Sequence, residues 1–222
     1  MSYGAVALLL FPGMARPRLH DPDAVLDAAE SLAAEAGPAA VTIRAVAASA
    51  GVSNGAIYHS FGSRAALVAR TWLRAAHRFL AMQTESVESA LATGDPTDAV
   101  VAAADALAVF ADRSPQSARL LSTVSRDQLI GADLPADLAA ELMATDRVLV
   151  DLMIRLARAT WDRGDAAAVD VITTCVVDLP TAILLARRRL DDATARTQLR
   201  EAVGAVLAVG PPARRQSRSQ RR

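Results

Sequence analysis

Between Thr42 and Phe61 the chain has room for two short helices, a tight turn and little else. Thr42 is a helix-capping residue, and after it Ile43, Val46, Ala47 and Ala50 recur at i, i+3, i+4 and i+7, which puts them on one helical face. Gly51 follows where a left-handed helix end is needed, a conformation only glycine takes freely. Ser53 caps the next helix within two residues. That second helix, Asn54–Phe61, is barely two turns, roughly 12 Å long. Ile57 and Phe61 fall on its inward side. Asn54 with Tyr58, and Gly55 with His59, fall on the opposite side. The pattern is a helix-turn-helix, with Ala47 small enough for close crossing.

The rest of the chain reads as helix too. Of 222 residues 50 are alanine, the best helix former, and the alternation of branched and polar residues that marks half-buried strands is nearly absent. The expected fold is all-α, with about nine helices in two domains. Asp21-Pro22-Asp23 starts the first helix and Gly37-Pro38 ends it. Gly62-Ser63 separates the helix-turn-helix from a long fourth helix, whose apolar stripe is Trp72, Ala76 and Phe79. Gly94-Asp95-Pro96 and Ser114-Pro115 open two more, the second expected to run to about Gln128. Residues 129–134 read as a loop. Helices are then expected over Pro135–Arg163, Asp165–Leu190 and Asp191–Val209, with Pro180 as a kink or break. Expected boundaries are an N-terminal arm at 1–20, a helix-turn-helix domain at 21–66, a larger helical domain at 67–209, and a basic, disordered tail at 210–222.

Net charge is zero, but its distribution is uneven. From Ala36 to Thr84 there is no acid, against five arginines (Arg44, Arg64, Arg70, Arg74, Arg78) and two histidines, whereas residues 85–210 carry 19 acids against 12 arginines. A basic block within an acidic chain is an electrostatic footprint for phosphate. Ala56 stands where a capping-box glutamate would sit, so no carboxylate guards the start of the second short helix against an anion.

These residues resemble the TetR/AcrR family of bacterial transcriptional regulators. The resemblance lies in Thr42-Ile43-Arg44, Ala47, Gly51-Val52-Ser53, Ala56-Ile57-Tyr58, Phe61, Gly62-Ser63-Arg64 and Leu67, within a segment of 21–80. It implies a homodimer that binds double-stranded DNA through the small N-terminal domain and pairs through its last two helices. It also implies a divergent C-terminal domain for a small effector, so a repressor released from a palindromic operator by a small, largely apolar ligand is expected. By the same resemblance Thr42, Tyr58 and Arg64 are implied as phosphate contacts. Arg44, Ser53, Asn54, Gly55, Ala56 and His59 are the candidates to face base edges. Arg64 stands where lysine is commoner, and Ser60 where an aromatic or histidine is more usual.

Other chemistries are weaker. Gly51-Val52-Ser53-Asn54-Gly55 matches the G-x-S-x-G elbow of serine hydrolases, but that motif needs a strand before the serine and then an acid and a histidine in order. No histidine follows His77 and no acid lies between Ser53 and His77, so no enzyme is expected. His20, His59, His77 and Cys175 lack metal-ligand spacing, so neither metal nor cofactor is expected. Arg70, Arg74 and Arg78, at i, i+4 and i+8, are expected to be a solvated face rather than a DNA track. Trp72, Phe79, Phe110, Met143, Met153 and Trp161 are candidates for an effector pocket, with core packing as the alternative for each. A lone Cys175 points to a reducing compartment. Ala5–Phe11 lacks the features of a signal peptide, and no run approaches about 20 apolar residues. Met14 offers a second start. A cytoplasmic protein without membrane partners is expected. The competing class is a helical ligand-binding protein that does not regulate DNA.

Overall fold

The computed structural model describes residues 21–130 and 133–213, and among these it forms ten α-helices and no strand. The arm at 1–20, including Ala5–Phe11 and Met14, and the basic end at 214–222 lie outside the described residues.

Three helices make the N-terminal group. α1 (Pro22–Ala36) is capped by Asp21, whose carboxylate accepts from the Asp23 amide at 3.0 Å. α2 (Ile43–Ala50) and α3 (Asn54–Phe61) are capped by Thr42 and Ser53. α4 (Arg64–Thr93), capped by Ser63, spans 30 residues, roughly 45 Å. Its first half packs in a core with Val25, Ala29, Val46, Ile57 and Phe61, and its second half joins another through Val87. α4 is therefore the strut common to both halves.

α5 (Pro96–Arg113) and α6 (Pro115–Thr123) start at prolines, as expected. The stretch expected as one helix to Gln128 divides, and the division gives the tenth helix. Val124 is extended (φ −114°, ψ 113°) and α7 (Arg126–Ile130) restarts immediately. The cause is local: the Ser125 amide donates to the Gln128 side chain, and the Gln128 amide donates to Ser125 Oγ, both at 3.3 Å. This is a reciprocal S-x-x-Q capping box. Trp72 Nε1 takes up the freed Val124 carbonyl at 3.0 Å.

α8 (Ala136–Trp161) ends at Asp162, which is left-handed at φ 52°. α9 (Ala166–Thr173) does not break at Pro180. It continues through two π-helical turns, Thr174–Asp178 and Thr181–Leu185, on either side of that proline. Proline has no N–H to give the carbonyl four residues back and its ring crowds it, so a widened turn is a physical answer that keeps the helix going. α10 (Ala193–Val209) closes the bundle, capped by Asp192.

Ala166–Leu185 also corrects the hydropathy reading. Its 20 residues, with mean hydropathy 1.8, meet the length and composition of a membrane-spanning helix, although Asp170 and Asp178 interrupt the run. Ala168, Ile172, Cys175, Val176 and Leu184 from this segment sit in the second core beside Leu152, Leu156, Leu199 and Val203. Burial in this core covers 33% of the stretch and accounts for part of its apolarity.

Cys175 is fully buried there, and burial pushes its thiol up to about 11. At pH 8 iodoacetamide should alkylate it at least about a hundredfold more slowly in native protein than in denaturant, because only thiolate reacts. Mass spectrometry of timed samples checks this.

Candidate nucleic-acid interface and ligand cavity

The helix-turn-helix is built by four local bonds. Thr42 Oγ1 accepts from the Ala45 amide at 3.1 Å, and Ser53 Oγ from the Ala56 amide at 3.1 Å. Gly51 takes φ 68° and ψ 31°, and the Val52 amide returns to the Ala47 carbonyl at 3.0 Å. Ser63 Oγ accepts from the Ala66 amide at 3.0 Å to start α4. The third residue after each of the three caps is an alanine (Ala45, Ala56, Ala66), and none of α2, α3 or α4 has an acid in its first turn. α1, α5, α7 and α8 each carry an aspartate there, α9 and α10 are capped by one, and α6 shares the acid-free start. Three consecutive helix starts thus offer free amides and positive dipole ends with no carboxylate competing.

Thr42, Arg44, Ser53, Asn54, Gly55, Tyr58, His59 and Arg64 are exposed and Ala56 is half-buried, while Ile57 and Phe61 are in the core. A Cβ on Gly55 would meet nothing nearer than Ser53 Oγ at 3.8 Å, so nothing inside the protein demands glycine at a helical position where it costs roughly 1 kcal/mol. Its bareness leaves room for another surface.

Arg64 has a task that the sequence did not disclose. Its Nε donates to the Val41 carbonyl at 2.5 Å and an Nη to the Pro38 carbonyl at 2.7 Å. The guanidinium splints the connection that leads into Thr42, so it fixes how α2 presents its N-terminus.

The arginine stripe is corrected by the fold. Arg74 is drawn in against α1, and Arg78, though 46% exposed, is tied into the same network. Glu30 of α1, only 5% exposed, pairs with an Nη of Arg74 at 3.0 Å and of Arg78 at 2.8 Å. Arg74 also reaches Asp27 at 2.6 Å, and an Nη of Arg78 donates to Ser117 of α6 at 2.8 Å. Ser117 Oγ in turn donates to Glu30 Oε1. The Glu30 and Asp27 carboxylates raise the Arg74 pKa further, against its desolvation. Two of the five arginines in the acid-free block are therefore compensated from α1.

Ser53 has no hydrolase surroundings. α2, not a strand, precedes it, and its Oγ is occupied as a cap.

A cavity of about 320 Å³ lies between α4, α5, α6, α7, α8 and the π-turns of α9. Trp72 and Phe79 line it, with Gln83, Leu149 and Pro180 among the other wall residues. Four of the residues named from the sequence do not line it. Phe110 lies behind Phe79, edge-on with ring centres 5.6 Å apart. Met153 is core, Met143 is 57% exposed on the outer face of α8, and Trp161 packs against the second core next to Gly210. Five of the wall residues missed are on α9, where Pro180 read as a break rather than as part of a continuous wall.

Residues 25–71 match the family profile of bacterial regulatory proteins of the tetR family. No curated protein matches the chain. Among solved structures, a tetR-family regulatory protein from Rhodococcus RHA1 is 20% identical with a TM-score of 0.63, covering 87% of this chain and 98% of its own. The tetR-family regulator PfmR from Thermus thermophilus is 19% identical with a TM-score of 0.61, over 83% and 97%. The regulator FadR from Bacillus subtilis, solved with stearoyl-CoA, is 14% identical with a TM-score of 0.58, over 85% and 97%. At these identities the likeness is one of fold along nearly the whole chain.

Proposed function

We propose that this chain, which belongs to the tetR family of bacterial regulatory proteins, is a cytoplasmic transcriptional repressor that binds a near-palindromic DNA operator as a homodimer and is released by a small, largely apolar ligand. The observation that carries the DNA contact is the set of three unguarded helix N-termini around an exposed α3. In this proposal Thr42, Tyr58 and the amides at the start of α2 take phosphates. Arg44, Ser53, Asn54, Gly55, Ala56 and His59 face the major groove. Arg64 both meets phosphate and holds the entry to α2. Phosphate contacts position the protein, and base contacts specify the site. Because the first turn of α3 is Asn, Gly and Ala, DNA shape supplies part of the specificity.

Homodimerisation is assigned to α9 and α10. Their outward faces carry small residues that allow close approach, Ala182 on the first and Thr197 and Ala208 on the second. Two α3 helices would then enter successive major grooves roughly 34–36 Å apart. A ligand in the cavity favours a dimer whose reading heads no longer match that spacing. Support for an apolar effector comes from the cavity wall itself, with Trp72, Phe79, Leu149 and Val176 among its members.

Gel-shift titration against the DNA upstream of its own gene tests the assignment. Binding at low salt is expected, and no shift with any promoter fragment overturns it. Tyr58→Phe and Arg64→Ala should each weaken binding to all sequences by about five- to tenfold, and Arg64→Ala, which removes a cation, should also flatten the salt dependence by about one ion. A loss confined to one base position would remove these residues from the phosphate set.

A further inference from the structure

We propose that the cavity takes a compact, uncharged, largely apolar ligand bearing one hydrogen-bond donor, a phenol, alcohol or amide N–H, that is received by Oε1 of Gln83. This rests on the cavity being the effector site.

Gln83 projects from α4 into the cavity wall and is 2% exposed. Its Nε2 donates to the Ala103 carbonyl of α5 at 2.9 Å. A carbonyl can only accept, so this bond fixes which end of the amide is nitrogen: the reversed amide would set two oxygens against each other. The oxygen is therefore the other atom; Oε1 has no partner and is itself buried beneath the wall surface, so a ligand's donor reaches it only as neighbouring wall side chains give way. A buried acceptor left unpaired is costly, and a ligand that supplies a donor recovers that cost on binding.

The other polar groups of the wall are already engaged. Trp72 Nε1 is held by the Val124 carbonyl, so this tryptophan offers only its ring. Ser122 donates to the Ala118 carbonyl and Thr145 to the Leu142 carbonyl, each at 2.7 Å. Arg126 is paired with both Asp146 and Asp127. Its Nε is buried without a partner, but it belongs to a guanidinium already neutralised by those two carboxylates. Arg126 and Asp146 cancel, so the wall offers no net charge to an anionic head group. About 320 Å³ is also at the small end for ligand pockets, which suits a compact ligand.

The test uses 4-propylphenol and 4-propyltoluene, which match in shape and differ in the donor, titrated calorimetrically into the full-length protein. Wild type should bind the phenol at least about tenfold more tightly, although simple transfer from water favours the toluene. Gln83→Met fills the same space without the acceptor and should reverse the order. Equal affinities in wild type, or a phenol preference that survives in Gln83→Met, overturn the donor rule while leaving the cavity as a ligand site. Binding of neither probe by wild type overturns the cavity assignment and the proposal with it. The wild-type ratio decides by itself if the variant does not fold.

Discussion

Replacing Glu30 by alanine should lower the unfolding free energy by about 2–4 kcal/mol. Removing one partner of a buried ion pair leaves the other uncompensated, and here two arginines converge on one carboxylate. The figure lies at or below that for a wholly buried pair because Arg78 is 46% exposed and can turn to water. Arg74 keeps Asp27 at 2.6 Å, so its loss is partial. Ser117, which donates its hydroxyl to Glu30 and is itself buried, loses its acceptor. Glu30→Gln retains an acceptor but not the charge and should cost about half as much. Urea titrations of both variants, read as midpoint shifts at constant slope, check this, and a Glu30→Ala midpoint within about 0.5 kcal/mol of wild type would show that the network contributes nothing net.

The position of that network explains its weight. Glu30 lies on α1, its cationic partners on α4, and Ser117 on α6, one helical turn before Leu121 and Ser122 of the cavity wall. A single carboxylate thereby joins the helix that packs against α2 to the helix that lines the cavity.

What could be seen in the sequence divides along chain distance. The caps at Thr42, Ser53 and Ser63 and the left-handed Gly51 are each settled within three or four residues, so the helix-turn-helix could be read directly. The Ser125–Gln128 capping box is just as local and was readable, yet the apolar periodicity running through it concealed the break. Glu30 with Arg78 is a pair 48 residues apart, and no periodicity links them. From α4 alone the stripe looks like a wet face, because the acids that cover it belong to another helix. Gln83 was hidden for a related reason. A polar residue on an apolar stripe reads as an interruption, and only the Ala103 carbonyl 20 residues away shows why it is buried. On α8, Met143 is apolar beside Leu142, but the bundle places Leu142 inward at 0% exposure and Met143 outward. Composition cannot choose between adjacent residues; the packing angle does.

Ala56→Glu should separate stability from DNA binding more sharply than any other single change. Ala56 is the third residue of α3, and its amide already bonds to Ser53. Glutamate there completes a capping box by reaching back to the Ser53 amide, and it complements the positive end of the helix, so the fold should gain about 0.5–1 kcal/mol. The same carboxylate would stand at the helix start assigned to DNA. A negative charge set against phosphate costs several kcal/mol, so affinity for the operator should fall about a hundredfold or more. Ala56→Gln forms the same capping box at the same size without charge and should lose far less. The two variants thus distinguish repulsion from bulk. A thermal melt and a DNA-binding isotherm on each, at one fixed salt concentration, give both quantities. Equal affinity of Ala56→Glu and wild type would place the N-terminus of α3 away from DNA. A large loss common to both variants would mean that Ala56 matters by its small size, as a surface that approaches the groove closely, and the absence of acid at this helix start would then have no electrostatic role.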